Sequence, residues 1–414
     1  MTRNPSKAAA AAITALTLAL LLAGCAEGDG KEEAGRGGGK KSASSPKPHG
    51  YVAGAEEAAE QQSRLVLGDS RSGTVAVLDL IEGGTEPLGR MREGAELVTD
   101  GRFAYANSGG GSQVFDSGAW MVDHGDHVHY YRAKARAVGT VRGKRAEHVH
   151  SSSWLTAVTF ADGTARLVDH GRMEKGRISP SATIEDVDRG PVVPLGEHAL
   201  VPVAAAGSET ALEVRDRKGR KKASLDEKCP GLRGAAVTRS GVVFGCADGA
   251  LFVTEKGRKP RAEKIPFGRE VPAAERPDSF RSRSQGTTLT AKAGDKGVWV
   301  LNVTARDWKL LETGPAAAVN SAGEGMPVLV LKKSGTLNAY DASDGRETAS
   351  RRILAKSSSV KDAARSVIEI DAGRAYINDT AAKKIHEIDY NDDLRKARSF
   401  PVDFTPSEMV ETGR

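Results

Sequence analysis

The run Val328-Leu329-Val330-Leu331-Lys332-Lys333-Ser334-Gly335-Thr336-Leu337-Asn338-Ala339-Tyr340-Asp341 decides the architecture. A short apolar stretch ends at Lys332, Ser334-Gly335 supplies a turn, and residues 337–341 alternate apolar with polar. This reads as strand, tight turn and half-buried antiparallel strand. The same theme recurs along the chain. Arg64-Leu65-Val66-Leu67 precedes Thr74-Val75-Ala76-Val77-Leu78, Gly101-Arg102-Phe103-Ala104-Tyr105 follows, and residues 154–160 lead into Asp162-Gly163-Thr164. Further units begin at Ala199-Leu200-Val201, Val242-Val243-Phe244, Gly297-Val298-Trp299 and Ala375-Tyr376-Ile377. Starts near 64, 102, 154, 199, 242, 297, 328 and 375 give a mean step of about 44 residues, the period of four-stranded propeller blades. No long amphipathic helix interrupts the series. The expected fold is all-β: a single β-propeller of seven or eight four-stranded blades over residues 63–414. A pair of β-sandwiches is the alternative, and it leaves the single period unexplained.

The chain has 414 residues, 39% hydrophobic and 28% charged, which provides for a packed core and excludes wholesale disorder. The net charge is +6, but the basic residues alternate with acids instead of clustering, so nucleic acid is not an expected partner. Arg3 and Lys7 precede an uncharged apolar stretch over residues 8–23. That is shorter than the roughly 20 residues a membrane span needs and suits a signal peptide. It ends in Leu22-Ala23-Gly24-Cys25, which resembles the bacterial lipobox. The resemblance implies a lipoprotein signal at residues 1–24 and a diacylated Cys25 as the mature N-terminus; two acyl chains hold a protein stably on a membrane. The expected location is extracytoplasmic, lipid-anchored to the cell membrane. Residues 25–62, rich in Gly, Ser, Lys and Pro, read as a flexible tether. With Cys25 removed, Cys229 and Cys246 remain. An isolated pair in an oxidising compartment reads most simply as a disulfide, and a thiolate metal site is the rival reading.

Of nine histidines, five fall between His124 and His150. The centre of this cluster is Asp123-His124-Gly125-Asp126-His127-Val128-His129-Tyr130-Tyr131. On an extended strand His127 and His129 point to one face, and Gly125 permits a turn that folds His124 back towards them. His124, His127 and His129 with Asp126 make a tetrahedral set for Zn²⁺, which accepts nitrogen and oxygen donors. Asp123 can orient a ligand imidazole from behind. His148 and His150 repeat the spacing and read as further ligands or a second, weaker site. The competing reading is a polar loop whose histidines are solvated or bonded to neighbouring acids.

The segment Val122-Asp123-His124-Gly125-Asp126-His127-Val128-His129-Tyr130-Tyr131 resembles the AztD-type zinc metallochaperones, extracytoplasmic β-propellers. Three other stretches are similar to the same family: Glu147-His148-Val149-His150 leading to Thr159-Phe160-Ala161-Asp162-Gly163-Thr164, Cys229-Pro230-Gly231-Leu232-Arg233-Gly234, and Phe244-Gly245-Cys246-Ala247-Asp248-Gly249. The resemblance implies a protein that binds zinc and delivers it to the solute-binding protein of a zinc ABC importer. The chain departs from the family's pattern where Arg233 replaces a histidine, where residues 190–196 lack a histidine pair, and where the tether offers only His49.

Enzyme signatures are weak. Ser358-Ser359-Val360-Lys361 and Lys333-Ser334-Gly335-Thr336 echo elements of penicillin-binding proteins, but in reversed order and without Ser-Asp-Asn, so both read as turns. No Gly-x-Ser-x-Gly elbow, His-Glu-x-x-His helix, P-loop or complete EF-hand loop is present. Trp120, Trp154, Trp299 and Trp308 read as packing residues. The expectation is a binding protein and not an enzyme. Its alternatives are a surface lipoprotein whose propeller is a protein- or glycan-binding platform, and a propeller enzyme of the lactonase or quinone-dehydrogenase kind.

Overall fold

The apolar run that opens each unit becomes the second strand of an antiparallel sheet, and Thr74–Asp79 and Thr336–Tyr340 become third strands. In Val328–Lys332 the residues Val328, Leu329, Val330 and Leu331 are all 0% exposed. A strand covered on both faces by neighbouring sheets has no polar side to show, hence the unbroken apolar run. The structure is a computed structural model and describes residues 54–124, 127–206, 209–257 and 259–414. The signal segment, Cys25, most of the tether and Asp126 lie outside the described residues.

Among the described residues nine sheets form, and eight of them follow one another along the chain as blades. From the axis outward, blade one pairs Glu408–Thr412, Arg64–Gly68, Thr74–Asp79 and Thr85–Arg90. Blade two orders Glu96–Thr99, Phe103–Ser108, Gly111–Asp116 and Arg136–Arg142. Blades three, four and five open with the inner strands Ala146–Ser151, Val193–Leu195 and Ala235–Thr238. Blades seven and eight open with Ala316–Ser321 and Ile368–Ile370. Blade six departs from the four-stranded expectation: it holds only Thr288–Ala293, Gly297–Asn302 and Asp307–Leu311. After Leu311 the chain turns at Gly314-Pro315 straight into the inner strand of blade seven, so no outer strand forms. Eight blades stand at the upper end of the expected range.

The ring is closed by pairing across the sequence, with register Arg64↔Thr412 to Gly68↔Glu408. The core lies between blades. Val193, Leu200, Leu212 and Val214 of blade four, for example, pack with Val242, Phe244, Leu251 and Val253 of blade five. Each fully buried aliphatic side chain contributes about 1.5–3 kcal/mol, and a seam of this kind lies between each pair of neighbouring blades. Cys229 and Cys246 form a disulfide, with Cα atoms 5.1 Å apart. It fastens the segment whose Cys229 N–H donates to Thr210 O in blade four to the second strand of blade five, Gly241–Cys246.

Outer strands such as Glu347–Arg352 and Arg395–Pro401 are charged and largely exposed, which discourages edge-to-edge association. Gly111 opens the third strand of blade two at φ +114°, and a Cβ there would stand 2.1 Å from Val141 O. Gly335 turns back with its N–H on Lys332 O, and Ser359 caps the short helix Val360–Ala363 in a capping box with Asp362. Trp120 and Trp299 are buried. Trp154 corrects the packing expectation: it is 50% exposed, with the Arg217 guanidinium 4.8 Å over its ring, because it stands in the bend before the strand Leu155–Phe160 and not in the sheet.

Candidate metal centre

The histidine-rich stretch is an insertion in blade two. Between the third strand and the outer strand the chain makes a second hairpin, Ala119–Asp123 with Val128–Arg132. It continues from the last blade pair, Arg136↔Asp116, and so leaves the blade at the end where the inner strand Glu96–Thr99 finishes. Its register is Trp120↔Tyr131, Val122↔His129 and Asp123↔Val128.

The root of the hairpin is rigid. Gly118 takes φ +76°, where a Cβ would meet Ala133 O at 2.1 Å, and Ala133 N–H donates to Gly118 O at 2.6 Å. Trp120 and Tyr131 are 4% and 0% exposed, stacked with ring centroids 5.4 Å apart. On the other side of Trp120 lies the Arg102 guanidinium, 3.6 Å from the ring centroid and paired with Asp116 at 3.2 Å. A buried cation between an aromatic face and a carboxylate fixes the indole plane, and with it the strand that bears His129.

At the tip, His124 N–H donates to His127 O at 3.0 Å, bringing the two rings to a 4.9 Å centroid separation. His129 stands 4.9 Å from His127 and 5.3 Å from His124 on the same measure. One ring nitrogen from each of the three lies within 4.8 Å of the others. Tetrahedral zinc with bonds of about 2.05 Å holds its ligands ~3.3 Å apart, a contraction that side-chain rotation supplies. His124 and His127 are exposed and His129 half-buried, so the cluster is open to solvent. Among the described residues no other group of three such donors assembles. The structure therefore brings together His124, His127 and His129 as the sequence spacing anticipates; Asp126 lies outside the described residues.

A fourth participant was hidden in the sequence. The strand Glu56–Ala58 pairs with the hairpin in the register Glu56↔Arg132, Glu57↔Tyr131 and Ala58↔Tyr130. Glu57 Oε1 lies 2.6 Å from His129 Nδ1. An ionised carboxylate accepts, so the contact points Nδ1–H at Glu57 and leaves Nε2 as the nitrogen that a neutral ring would offer to a metal. The Tyr131 phenol is pushed up, by burial first and by the Glu57 charge second. Residues 56–58 fall inside the stretch read as tether, whose composition carries no strand pattern, and no local signal marks Glu57.

His148 and His150 stand apart from this cluster, on the inner strand of blade three, opposite Thr159 and Ala157. Burial first pushes His148 down, against the charges of Glu147 and Glu96. His150 keeps part of its surface accessible, yet burial first and the His148 neighbour second push it down to about 3. A neutral imidazole is a ligand without proton competition. His148 lines a pocket of about 380 Å³ with Glu93, Glu96, Asn107, Ser108 and Glu147. Glu96 opens the inner strand of blade two and Asn107 faces it, so this pocket lies at the end of the blade opposite the hairpin.

An eight-bladed propeller with a triple imidazole on an accessory hairpin is the class that fold and site define. No family model matches the chain. Among solved structures, a crystal structure of AztD from Citrobacter koseri is similar with TM-score 0.70 and 20% identity, covering 85% of this chain and 98% of that one. A structure of apo AztD from the same organism gives 0.72 and 19% with the same coverage. The dihydro-heme d1 dehydrogenase NirN in complex with DHE reaches 0.50 and 14%, covering 84% and 75%. The fold is that of an AztD-like β-propeller.

Proposed function

We propose that this protein is an extracytoplasmic zinc carrier, held at the membrane through Cys25, that binds Zn²⁺ and passes it to the solute-binding protein of a zinc ABC importer. The observation that carries the reading is the convergence of His124, His127 and His129 on an exposed hairpin tip. The motif resemblance to AztD-type chaperones supplies zinc as the cargo, and the Cys229–Cys246 disulfide suits an oxidising compartment. The work done is ligand exchange. On an exposed hairpin tip an incoming ligand can bind the ion before the three imidazoles let go, so zinc moves between proteins without ever being free. No covalent chemistry enters, and we assign no enzymatic activity. His148 and His150 are the place for a secondary, weaker ion.

Zinc titration against a chromophoric chelator at pH 7.5 tests the reading. His127→Ala with His129→Ala should abolish tight binding while the thermal melt stays put, because the blade seams and not the metal hold the fold. His148→Ala with His150→Ala should leave the tight site intact. Wild type that binds no zinc, or a His127/His129 variant that binds as tightly as wild type, overturns the reading and favours the binding-platform alternative.

A further inference from the structure

We propose that the strand Glu56–Ala58 is a separable clasp on the metal hairpin, and that Glu57 is a positioning residue that sets how firmly His129 holds the ion. The inference rests on the zinc reading above and adds to it a means of release.

Cross-strand neighbours share a face. Glu57 is opposite Tyr131, Tyr131 is opposite Trp120, and His129, two residues from Tyr131, lies on that same face. The Glu57 carboxylate thus reaches diagonally to His129 Nδ1. This is the carboxylate–histidine–metal arrangement, in which the carboxylate fixes the ring, selects the tautomer and raises the basicity of the ligating nitrogen.

The two layers differ in how firmly they are attached. The hairpin is built on buried Trp120 and Tyr131 and on the Arg102–Asp116 pair, whose side chains are 8% and 4% exposed. The clasp has three residues, with Glu56 and Glu57 exposed. Its ion pair, Arg132 with Glu56 at 3.1 Å, is 52% and 73% exposed, and pairs this open contribute little. The clasp can therefore leave while the three imidazoles stay in place. The site then has two states with the same ligands, one with His129 buttressed and one without. Metal and clasp each favour the other, since coupling between two binding events is reciprocal. Displacement of the clasp, for example by an acceptor docking on the hairpin edge, loosens the ion at the moment of transfer.

The test uses the full chain and its Glu57→Ala, Glu57→Gln and Glu57→Asp variants, with Zn²⁺ and Co²⁺ as probes. Chelator competition gives affinity, and stopped-flow transfer to excess chelator gives the release rate. Glu57→Ala should weaken zinc by roughly 10–100-fold and speed release by a similar factor. Glu57→Gln should fall between that variant and wild type, and Glu57→Asp should recover part of the loss. The Co²⁺ absorption bands should keep their positions and intensity, because the ligand set is unchanged. Amide exchange at residues 56–58 should slow on zinc binding in wild type and not in Glu57→Ala. Glu57→Ala within twofold of wild type in both affinity and release overturns the clasp and leaves the zinc reading standing. Altered Co²⁺ bands make Glu57 a direct ligand and overturn the positioning role. Wild type that takes up neither ion overturns the functional reading and the clasp together.

Discussion

Breaking the disulfide should cost the propeller about 3 kcal/mol, and a comparison of two perturbations separates the reasons. Cys229 and Cys246 are 17 positions apart. In the chain-entropy account, opening a loop of that length returns about 3 kcal/mol of conformational freedom to the unfolded chain. Both cysteines are buried, at 0% and 2% exposure, within the seam of Leu212, Leu232, Phe244 and Leu251. Replacing both cysteines by alanine therefore adds a cavity cost, on the order of 1 kcal/mol per atom removed. Reduced wild type keeps its sulfurs and should lose only the loop contribution. Urea unfolding followed by tryptophan fluorescence, for oxidised wild type, reduced wild type and Cys229→Ala/Cys246→Ala, should give three separate midpoints in that order. Identical midpoints for oxidised and reduced wild type would refute the loop argument. A double variant matching reduced wild type would refute the cavity argument and leave the loop term standing.

Two further outcomes follow from buried groups. Glu411 on the closing strand is 0% exposed; burial pushes its carboxyl up to about 7, against the pull of Arg414 at 2.9 Å. A folded pKa raised above the ordinary 4.5 means a contribution present in full below about pH 4.5 and lost as pH rises through 7. Glu411→Gln should flatten that slope and gain on the order of 3 kcal/mol over wild type at pH 8, Arg414 keeping Glu369 at 3.0 Å; parallel unfolding midpoints for both proteins at pH 5 and 8 would contradict this. Gly111→Ala combines φ +114° with a 2.1 Å approach to Val141 O and should cost ~3 kcal/mol, whereas Gly109→Ala, with nothing within 4 Å, should stay within about 0.5 kcal/mol. Thermal melts of the two variants side by side check the contrast.

What the sequence discloses, and what it hides, follows from which surfaces each strand covers. The eight unit starts fall on or beside the second strands of the eight blades, such as Arg64–Gly68, Phe103–Ser108 and Ala375–Asp379. Those strands are sheathed on both faces, so their apolar runs are unbroken. The inner strands escape a pattern search. Val193–Leu195 and Ile368–Ile370 are three residues long, and Ala316–Ser321 is built of small and polar residues because the strands converge at the axis. The missing outer strand of blade six is equally silent, since an outer strand is a charged, exposed segment that composition does not distinguish from a loop. The histidine trio was legible for the opposite reason: all three imidazoles sit on one hairpin, so their geometry is a matter of local spacing. Glu57 was not, because it reaches His129 from 72 positions away on a strand that exists only where the hairpin offers it an edge. The imidazole cluster is thus encoded locally and the carboxylate that backs it is encoded remotely. Short-range spacing holds the three imidazoles together on one hairpin, whereas Glu57 reaches them only because the fold brings a distant strand to the hairpin edge.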